Sequence, residues 1–600
     1  DLVWEYVGSD QAPLASAILL GNREQLSAAR RDEFIQTGTV HLLAISGLHV
    51  GILAGAFFLL FRFGFASRRW AIWATLLFVL AYAWLVEFRP PVTRAAILLV
   101  LLCLGRLYGK AAFGFNLLAL AALVVLVMNP ADLFRVGPQL SFLAVAGMIL
   151  FRDSIFRPLS DDPLERLIRS TRRWPTRCLR KSVWRIRQLV LVSSLIWLLA
   201  LPLVACRFHL VSPIAPLLNP LLLVPVSLAL YTGLGVFLFG GWLKPVADCL
   251  GMVCTIALSS LESVIHQCQQ LPFSHYWTVG PSPIATLLFY LGLFSLCIGL
   301  PKTKKKIYLP LWGLVWLLGA WIIPAALHSS SQHSNQENDF LCTFVDVGHG
   351  TSVLIQTPAG QHLLYDAGTF GSPRFGLTNV SGLLWSERIG HVDALFISHA
   401  DLDHFNVIPE LCQRFSIGVV YLTPSMNGSS SPSVHLLLRR LKEEKIEVRE
   451  VSWKTEFQWG QHARGSVLSP PPEGIGTTYN SDSIVLLIEA YGRRFLLPGD
   501  LEGAGMDSLL SRGPIDCDVV MAPHHGSAHS RPADFLRWSR PEFVLVSAGP
   551  KKVPEESLEI QRRDGRTVHR TGMPGAVRYR VEPCGKLSLE TFQAGKWQAD

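Results

Sequence analysis

Ten apolar runs fill residues 41 to 327, and each approaches the length that a lipid bilayer demands. A membrane-crossing helix needs about 20 consecutive, mostly apolar residues. Spans are therefore expected near 41–61, 70–87, 92–108, 113–128, 138–151, 188–206, 213–239, 247–268, 282–300 and 307–327. The run near 247–268 is the weakest, because Glu262, His266 and Gln267 interrupt it; a helix lying in the membrane interface is its alternative. Half of the 600 residues are hydrophobic and only 16% are charged, which is too apolar for a chain that is soluble throughout. The bias ends near Leu327. From about Ser329 the composition is that of an ordinary globular domain. The expected organisation is an extracytoplasmic amphipathic lead-in over 1–36, a membrane domain over 37–328, a polar linker over 329–338 and a soluble domain over 339–600. Within the lead-in, Leu14 to Arg31 reads as one helix lying on the surface.

The basic residues set the orientation. Arg62, Arg68 and Arg69 follow the first run, and Arg106 and Lys110 the third. Arg169, Arg172, Arg173, Arg177, Arg180 and Lys181 crowd the segment 152–187, and Lys302, Lys304, Lys305 and Lys306 precede the last run. With ten spans all four groups fall on the cytoplasmic side, so both chain ends, and the soluble domain, lie outside. The net charge of +9 is then a matter of topology before it is one of nucleic acid. The 11 cysteines form no paired framework. The first run also carries His41, Ser46, Gly47 and His49. Ionisable groups in a span face an interior or a water-filled path, and small residues let helices approach. A packing role and a functional one are equally open for them.

In the soluble domain, residues 399–404 read His-Ala-Asp-Leu-Asp-His, directly after the strand-like run 392–398. Side chains two apart in extended chain point the same way, so His399, Asp401 and Asp403 are aimed at one volume, with His404 behind them. Such oxygen and nitrogen donors suit a divalent metal, one ion or two. Tyr365-Asp366-Ala367-Gly368, Leu497-Pro498-Gly499-Asp500 and His524-His525-Gly526-Ser527 each follow another strand-like run. Ligands repeated at strand ends describe a layered α/β domain with its site at one sheet edge.

The hexad resembles the His-x-His-x-Asp-His signature of the metallo-β-lactamase superfamily, with Asp401 in place of the second histidine. Gly499-Asp500 resembles its bridging aspartate, and His524-His525 its closing histidine motif. The membrane half is similar to the ComEC family of DNA-uptake channels. The carriers are the decapeptide 41–50, the segment 89–96 with Arg94, the segment 137–142 with Gln139 and Ser141, and a run holding Phe208, Asn219, Pro220 and Pro225. Asp346-Val347-Gly348-His349-Gly350 is like that family's opening to the hydrolase domain, with His349 in place of glutamine. The resemblance implies a polytopic α-helical membrane domain followed by a soluble αββα hydrolase domain. It also implies that residues 1–36 resemble the segment after an N-terminal portion of early spans and a small OB-like domain.

Carried over residue by residue, the resemblance puts His399 and Asp401 in one metal site and Asp403 and His404 in a second. Asp500 bridges, a histidine of the 524–525 pair completes the second site, and Asp346 and Asp366 support the ligands. A third histidine for the first site is missing, because His435 and His462 read as surface residues. Asp401 adds oxygen character, so Mn²⁺, Mg²⁺ and Zn²⁺ are all candidates. Asp403, His404 and Asp500 are the catalytic candidates, with Asp403 as base or water-orienting group. Asn480, Ser483 and Ser527 are candidate hydrogen-bond donors to phosphate, and turn chemistry is their plainer role. His41, Ser46, Gly47, His49, Arg94, Gln139, Ser141 and Asn219 become channel candidates.

The function implied is a multi-pass protein of the cytoplasmic membrane that imports single-stranded DNA. An extracytoplasmic nuclease domain would degrade the other strand. No Gly-x-x-x-x-Gly-Lys loop occurs in these residues, so a helicase-like cytoplasmic ATPase and an outer DNA receptor are the expected partners. Two rival readings are a membrane-tethered hydrolase of a small ester and a channel whose metal domain binds DNA without cutting it.

Overall fold

The computed structural model describes residues 1–64, 67–109, 114–155, 173–299, 301–322, 338–476, 478–549, 555–572, 575–593 and 595–599. Lys110, Arg169, Arg172 and nearly all of the expected linker 329–338 lie outside the described residues. The chain divides into two compact units, Asp1–Trp321 and Ile322–Asp600.

The first unit is helical. Among the described residues three short helices, α1 (Leu2–Tyr6), α2 (Ala12–Leu20) and α3 (Ala28–Gln36), precede ten longer ones. These are α4 (Gly47–Phe63), α5 (Arg68–Leu85), α6 (Pro90–Leu107), α7 (Gly114–Met128), α8 (Val136–Ile155), α9 (Trp174–Phe208), α10 (Ala215–Phe239), α11 (Lys244–Gln269), α12 (Pro283–Gly299) and α13 (Lys302–Leu317). Each expected span overlaps one of them. Among the described residues α6, α9, α10 and α11 are long and apolar enough to cross a membrane. Two short strands, β1 (Leu210–Val211) and β2 (Tyr276–Trp277), pair antiparallel.

Two expectations need correction. The lead-in is not one surface helix. Gly21, with a φ of 74°, ends α2, and the Ser27 hydroxyl accepts from the Arg30 N–H to start α3. Leu14, Ile18 and Leu19 are buried in the helical core, so α2 is an interior element. The first span, in turn, starts at Gly47 and not at His41. Ser46 caps α4 by accepting from His49 N–H at 3.4 Å, while His49 Nδ1 accepts from Ser46 N–H at 3.3 Å, a reciprocal cap with histidine in the usual place of Glu. His41 lies before the helix, its Nδ1 3.2 Å from the Gly38 carbonyl.

The polar residues that weaken the run near 247–268 have partners in the lead-in. Glu262 on α11 accepts from Gln11 at 2.8 Å and pairs with Arg30 at 2.7 Å; Arg30 also holds Asp10 at 2.6 Å. His266 meets Glu33 at 3.0 Å, and Gln269 donates to Gln36 at 2.8 Å. The polar face of α11 is thus matched, and α11 is a full-length helix.

The second unit holds two sheets. The larger runs β18-β17-β16-β3-β4-β5-β6-β7-β8 and the smaller β15-β14-β13-β12-β11-β10-β9. The strands are β3 (Phe340–Phe344), β4 (Ser352–Gln356), β5 (His362–Ala367), β6 (His391–Phe396), β7 (Ser416–Leu422), β8 (Glu447–Glu450), β9 (Glu456–Gln458), β10 (Ala463–Ser469), β11 (Val485–Ala490), β12 (Arg493–Leu497), β13 (Val519–Met521), β14 (Phe543–Val546), β15 (Thr567–Arg570), β16 (Val577–Val581), β17 (Leu587–Gln593) and β18 (Lys596–Ala599). Phe340, Phe344 and Phe396 from one sheet and Ile488, Phe495 and Met521 from the other share a single core, so the sheets stack face to face. The outer face of the larger sheet is covered by helices Pro373–Ser386, Ile408–Arg414 and Pro432–Glu443. The smaller is covered by Gly503–Leu510 and Pro532–Ser539. This is the expected αββα sandwich. β5 to β8 run parallel, as do β12 to β15. Parallel strands collect their C-terminal ends, and hence their loops, along one edge.

Candidate metal centre

Four of those strand ends supply the cluster. β5 closes on Asp366, which is fully buried and holds a left-handed φ of 58°. A non-glycine residue stays there only when its surroundings over-determine it. Asp366 accepts from Ser398 N–H at 2.7 Å, Ser398 Oγ at 2.8 Å and His404 Nδ1 at 2.8 Å. Ser398 Oγ also lies 2.9 Å from His399 Nδ1. The two imidazoles are thereby held at Nδ1, which leaves each Nε2 for another partner.

After β6 the chain stays irregular through Asp401 and then turns into a short helix, Leu402–Phe405. The alternating geometry expected for the whole hexad therefore stops halfway. His399 Nε2 and Asp401 Oδ2 do lie 3.5 Å apart, but Asp403 and His404 arrive on a helical turn. That turn passes directly over Gly368, where an added Cβ would sit 2.3 Å from the Asp403 carbonyl. Only glycine leaves room for it.

Asp500, at the end of β12, and His525, after β13, complete the group. His404 Nε2 is 3.3 Å from Asp500 Oδ1, and His525 Nε2 is 3.4 Å from Asp500 Oδ2 and 3.6 Å from Asp403 Oδ2. One ligand atom from each of Asp403, His404, Asp500 and His525 falls within 4.8 Å of the others. His525 Nδ1 is anchored on the Ser547 carbonyl at 2.8 Å.

Charge follows the geometry. Burial opposes ionisation of Asp403, yet His525 and His404 outweigh it and hold the carboxyl at about 2. Burial likewise opposes a charge on His404, but Asp500 and Asp366 on either side raise its pKa well above the ordinary value. Burial would raise Asp500; the charges of His404 and His525 keep it well below the usual range.

A divalent cation fits this set. Nε2 of His399, His404 and His525 is in each case buried without a hydrogen-bond partner, while ionised carboxylates lie beside them. Buried polar atoms are nearly always bonded, so three orphans converging on carboxylates describe a ligand shell. The Nδ1 atoms are braced by Asp366, Ser398 and Ser547, as outer partners brace metal-bound imidazoles.

The remaining candidates are distributed differently. His524 is one-third exposed; its Nε2 is 3.8 Å from Asp500 Oδ2 and its Nδ1 is 2.9 Å from Glu502. Asn480 donates to the same Glu502 at 2.9 Å. Glu502 was not foreseen, although an acid two places after Asp500 was a usable signal. Ser398 was missed too, directly ahead of the hexad. Asp346 is not a supporter of the ligands: its carboxylate accepts from Gly348 N–H in its own turn. Ser483 is fully buried, so its hydroxyl is not presented to solvent. The Ser527 hydroxyl accepts from His529 N–H and closes a turn. His349 stands with its ring centroid 4.4 Å from that of His525. Beside Asp401 and Asp403 opens a cleft of about 560 Å³, lined also by Phe370, Ser431, Ser433 and Tyr479.

In the first unit, His49 is fully buried and Arg94 nearly so. Gln139 donates to the Leu133 carbonyl at 2.8 Å, and Asn219 keeps a buried Oδ1 without a partner. Gly47 starts α4 against Ala95 of α6, and Ser141 lies half-buried on α8.

Comparison with known proteins follows the same division. The family described as Competence protein matches residues 18–303, and the Metallo-beta-lactamase superfamily matches residues 345–531. The chain is 26% identical to ComE operon protein 3 of Bacillus subtilis (strain 168), over 96% of this chain and 72% of that one. It is 26% identical to Competence protein ComA of Neisseria gonorrhoeae, over 95% of this chain and 75% of that one. Among solved structures, Zn(2+)-bound PqqB from Methylobacterium extorquens aligns with 14% identity and a TM-score of 0.28, covering 38% of this chain and 86% of that one.

Proposed function

We propose, from the premise that the chain belongs to the competence-protein family and carries a metallo-β-lactamase domain, that it imports DNA as a single strand and hydrolyses phosphodiesters of the strand left outside. The observation that carries this reading is the union, in one chain, of a helical membrane unit with the buried cluster Asp403, His404, Asp500 and His525. Residues 37–328 are assigned to the channel, 329–338 to a linker and 339–600 to the hydrolase. The protein is placed in the cytoplasmic membrane with the hydrolase outside, on the strength of the basic loops. A cytoplasmic helicase-like ATPase and an outer DNA receptor are the proposed partners.

His404, His525, Asp403 and Asp500 would hold a divalent ion, Mn²⁺, Mg²⁺ or Zn²⁺, with His399 and Asp401 beside them for a second and His524 at the margin. When bound, the ion supplies Lewis acidity toward a phosphoryl oxygen and acidifies a water. Asp403, ionised and partly open to the cleft, accepts the proton of the attacking water at its carboxylate. Asp366 and Ser398 keep His404 and His399 in one orientation. Asn480 holds Glu502, and through it His524, beside Asp500. His41, Ser46, Gly47, His49, Arg94, Gln139, Ser141 and Asn219 are assigned to the channel.

The test uses full-chain protein in detergent with labelled single- and double-stranded DNA and each metal in turn, beside His404→Ala and Asp500→Ala. Metal-dependent cleavage lost in both variants is the expected result. Cleavage of a small ester but not of DNA would replace this reading with the tethered hydrolase. DNA binding without cleavage under any metal would make the second unit a binding domain.

A further inference from the structure

Arg94 is a buried cation of the membrane unit. It sits on the second turn of α6, is only 7% exposed, and its Nε is buried without a hydrogen-bond partner. It forms no ion pair among the described residues. Asp132, whose charge reaches it electrostatically, is engaged elsewhere, with Arg135 at 3.2 Å and Asn129 at 3.1 Å. A buried cation without a bonded partner is strongly destabilising, and inside a membrane such residues mark ligand or ion paths.

The guanidinium faces a second positive feature. Its terminal nitrogen lies 3.7 Å from the point where Gly137 would carry a Cβ, on the first turn of the 20-residue helix α8. In this first turn Pro138 has no N–H and the Gln139 N–H is taken by the Arg135 carbonyl at 3.4 Å, which leaves the amides of Val136 and Gly137, and the helix dipole is positive at that end. Gly137 itself is exposed, so this corner can be reached. Two positive elements meeting at an accessible corner leave a place for an anion between them.

The surroundings add to the same sign. Arg89, directly before α6, and Arg31 both act electrostatically on Arg23, and the Arg31 Nε is likewise buried without a hydrogen-bond partner. Arg30, by contrast, is neutralised by Asp10 and Glu262. Arg23, Arg31 and Arg89 thus form a basic group around the residue that leads into α6.

We propose that Arg94 and the first turn of α8 form a binding site for a backbone phosphate of a nucleic-acid single strand. The assignment rests on the uptake reading, since a strand is the polyphosphate which that reading brings to this unit. A guanidinium set against free backbone amides recognises phosphate without regard to base, as a path for any sequence requires.

The test is the salt dependence of strand binding. Full-chain protein in phosphatidylcholine nanodiscs, with chelator to prevent cleavage, is titrated with a fluorescein-labelled single strand of about 20 nucleotides, and each neutralised phosphate contact contributes about 0.7 to the log–log salt slope. Arg94→Gln is expected to lower the slope by about 0.7 and to weaken binding about fivefold, while Arg94→Lys keeps the slope. Gly137→Asp places a carboxylate against the guanidinium at a helix position that favours an acid, and is expected to reproduce the slope change with Arg94 still present. A strand with uncharged methylphosphonate linkages should not distinguish the variants from the parent. An unchanged slope in both Arg94→Gln and Gly137→Asp overturns the proposal. If the variants differ from the parent only in phosphatidylglycerol nanodiscs, the site belongs to a lipid head group and the strand assignment falls. Strand passage through vesicles of the parent protein, alongside an unchanged slope, removes Arg94 but leaves the channel. No passage and no binding by the parent protein removes the uptake reading itself.

Discussion

His404 and His49 are both fully buried imidazoles, and both keep an Nε2 without a hydrogen-bond partner. Their surroundings are opposite. Around His404 stand Asp366 and Asp500, with Ser398 bracing the other ring nitrogen. His49 accepts at Nδ1 from the backbone of Ser46, and no carboxylate pairs with it among the described residues. The first arrangement concentrates negative charge on a point and asks for a cation. The second, together with Arg94, leaves donors and positive charge unanswered and asks for an anion or water. On the proposed function the two units divide the chemistry by sign, the metal in one and phosphate in the other.

The strongest blow to that contrast is His404→Ala. Loss of a central ligand should reduce metal-dependent hydrolysis at least about 10³-fold, or some 4 kcal/mol of barrier. Metal content and turnover measured together check it; strand binding by the membrane unit should be untouched. Asp366→Asn tests the bracing alone. It keeps the shape but loses the charge behind His404, and should weaken metal affinity about 10- to 100-fold in a competition titration.

Acidification sharpens the contrast by a smaller step. Without metal, His404 holds a proton because Asp500 and Asp366 raise its pKa, and a metal can bind only after that proton leaves. Affinity should therefore rise with pH, by up to about tenfold per unit for one proton released, until the raised pKa is passed. Asp403, held at about 2, adds no further proton between pH 4 and 7 as an order-of-magnitude window. The smallest expected effect belongs to the other unit. Glu262→Gln removes the charge facing Arg30 and should cost about 1–2 kcal/mol of stability, read as a lower melting temperature, with metal affinity unchanged.

Much of this was legible beforehand, for identifiable reasons. The ten runs each yielded a helix because bilayer length and apolar composition leave few alternatives. The strand-end motifs converged because parallel strands gather their C-terminal ends. What stayed hidden was tertiary. Nothing local to Ser46 and His49 says that they will cap each other and push His41 out of the helix. The burial of Leu14 and Ile18 depends on helices more than 200 residues away in sequence as an order of magnitude. Glu502 shows its part only when the loop after β12 folds against His524. Ser483 looked like a donor by its neighbours, yet the strand it precedes draws it inside.

The match between α11 and the lead-in also has a meaning in time. Gln11 and Glu262 are 251 positions apart. At synthesis rates of roughly 5–20 residues per second, the lead-in leaves the ribosome some 10–50 s before its partner helix. Its arginine and glutamines must wait through the insertion of the seven helices described between them. α11 then arrives where its polar face is already answered. An early segment thus acts as a receptacle for a later one.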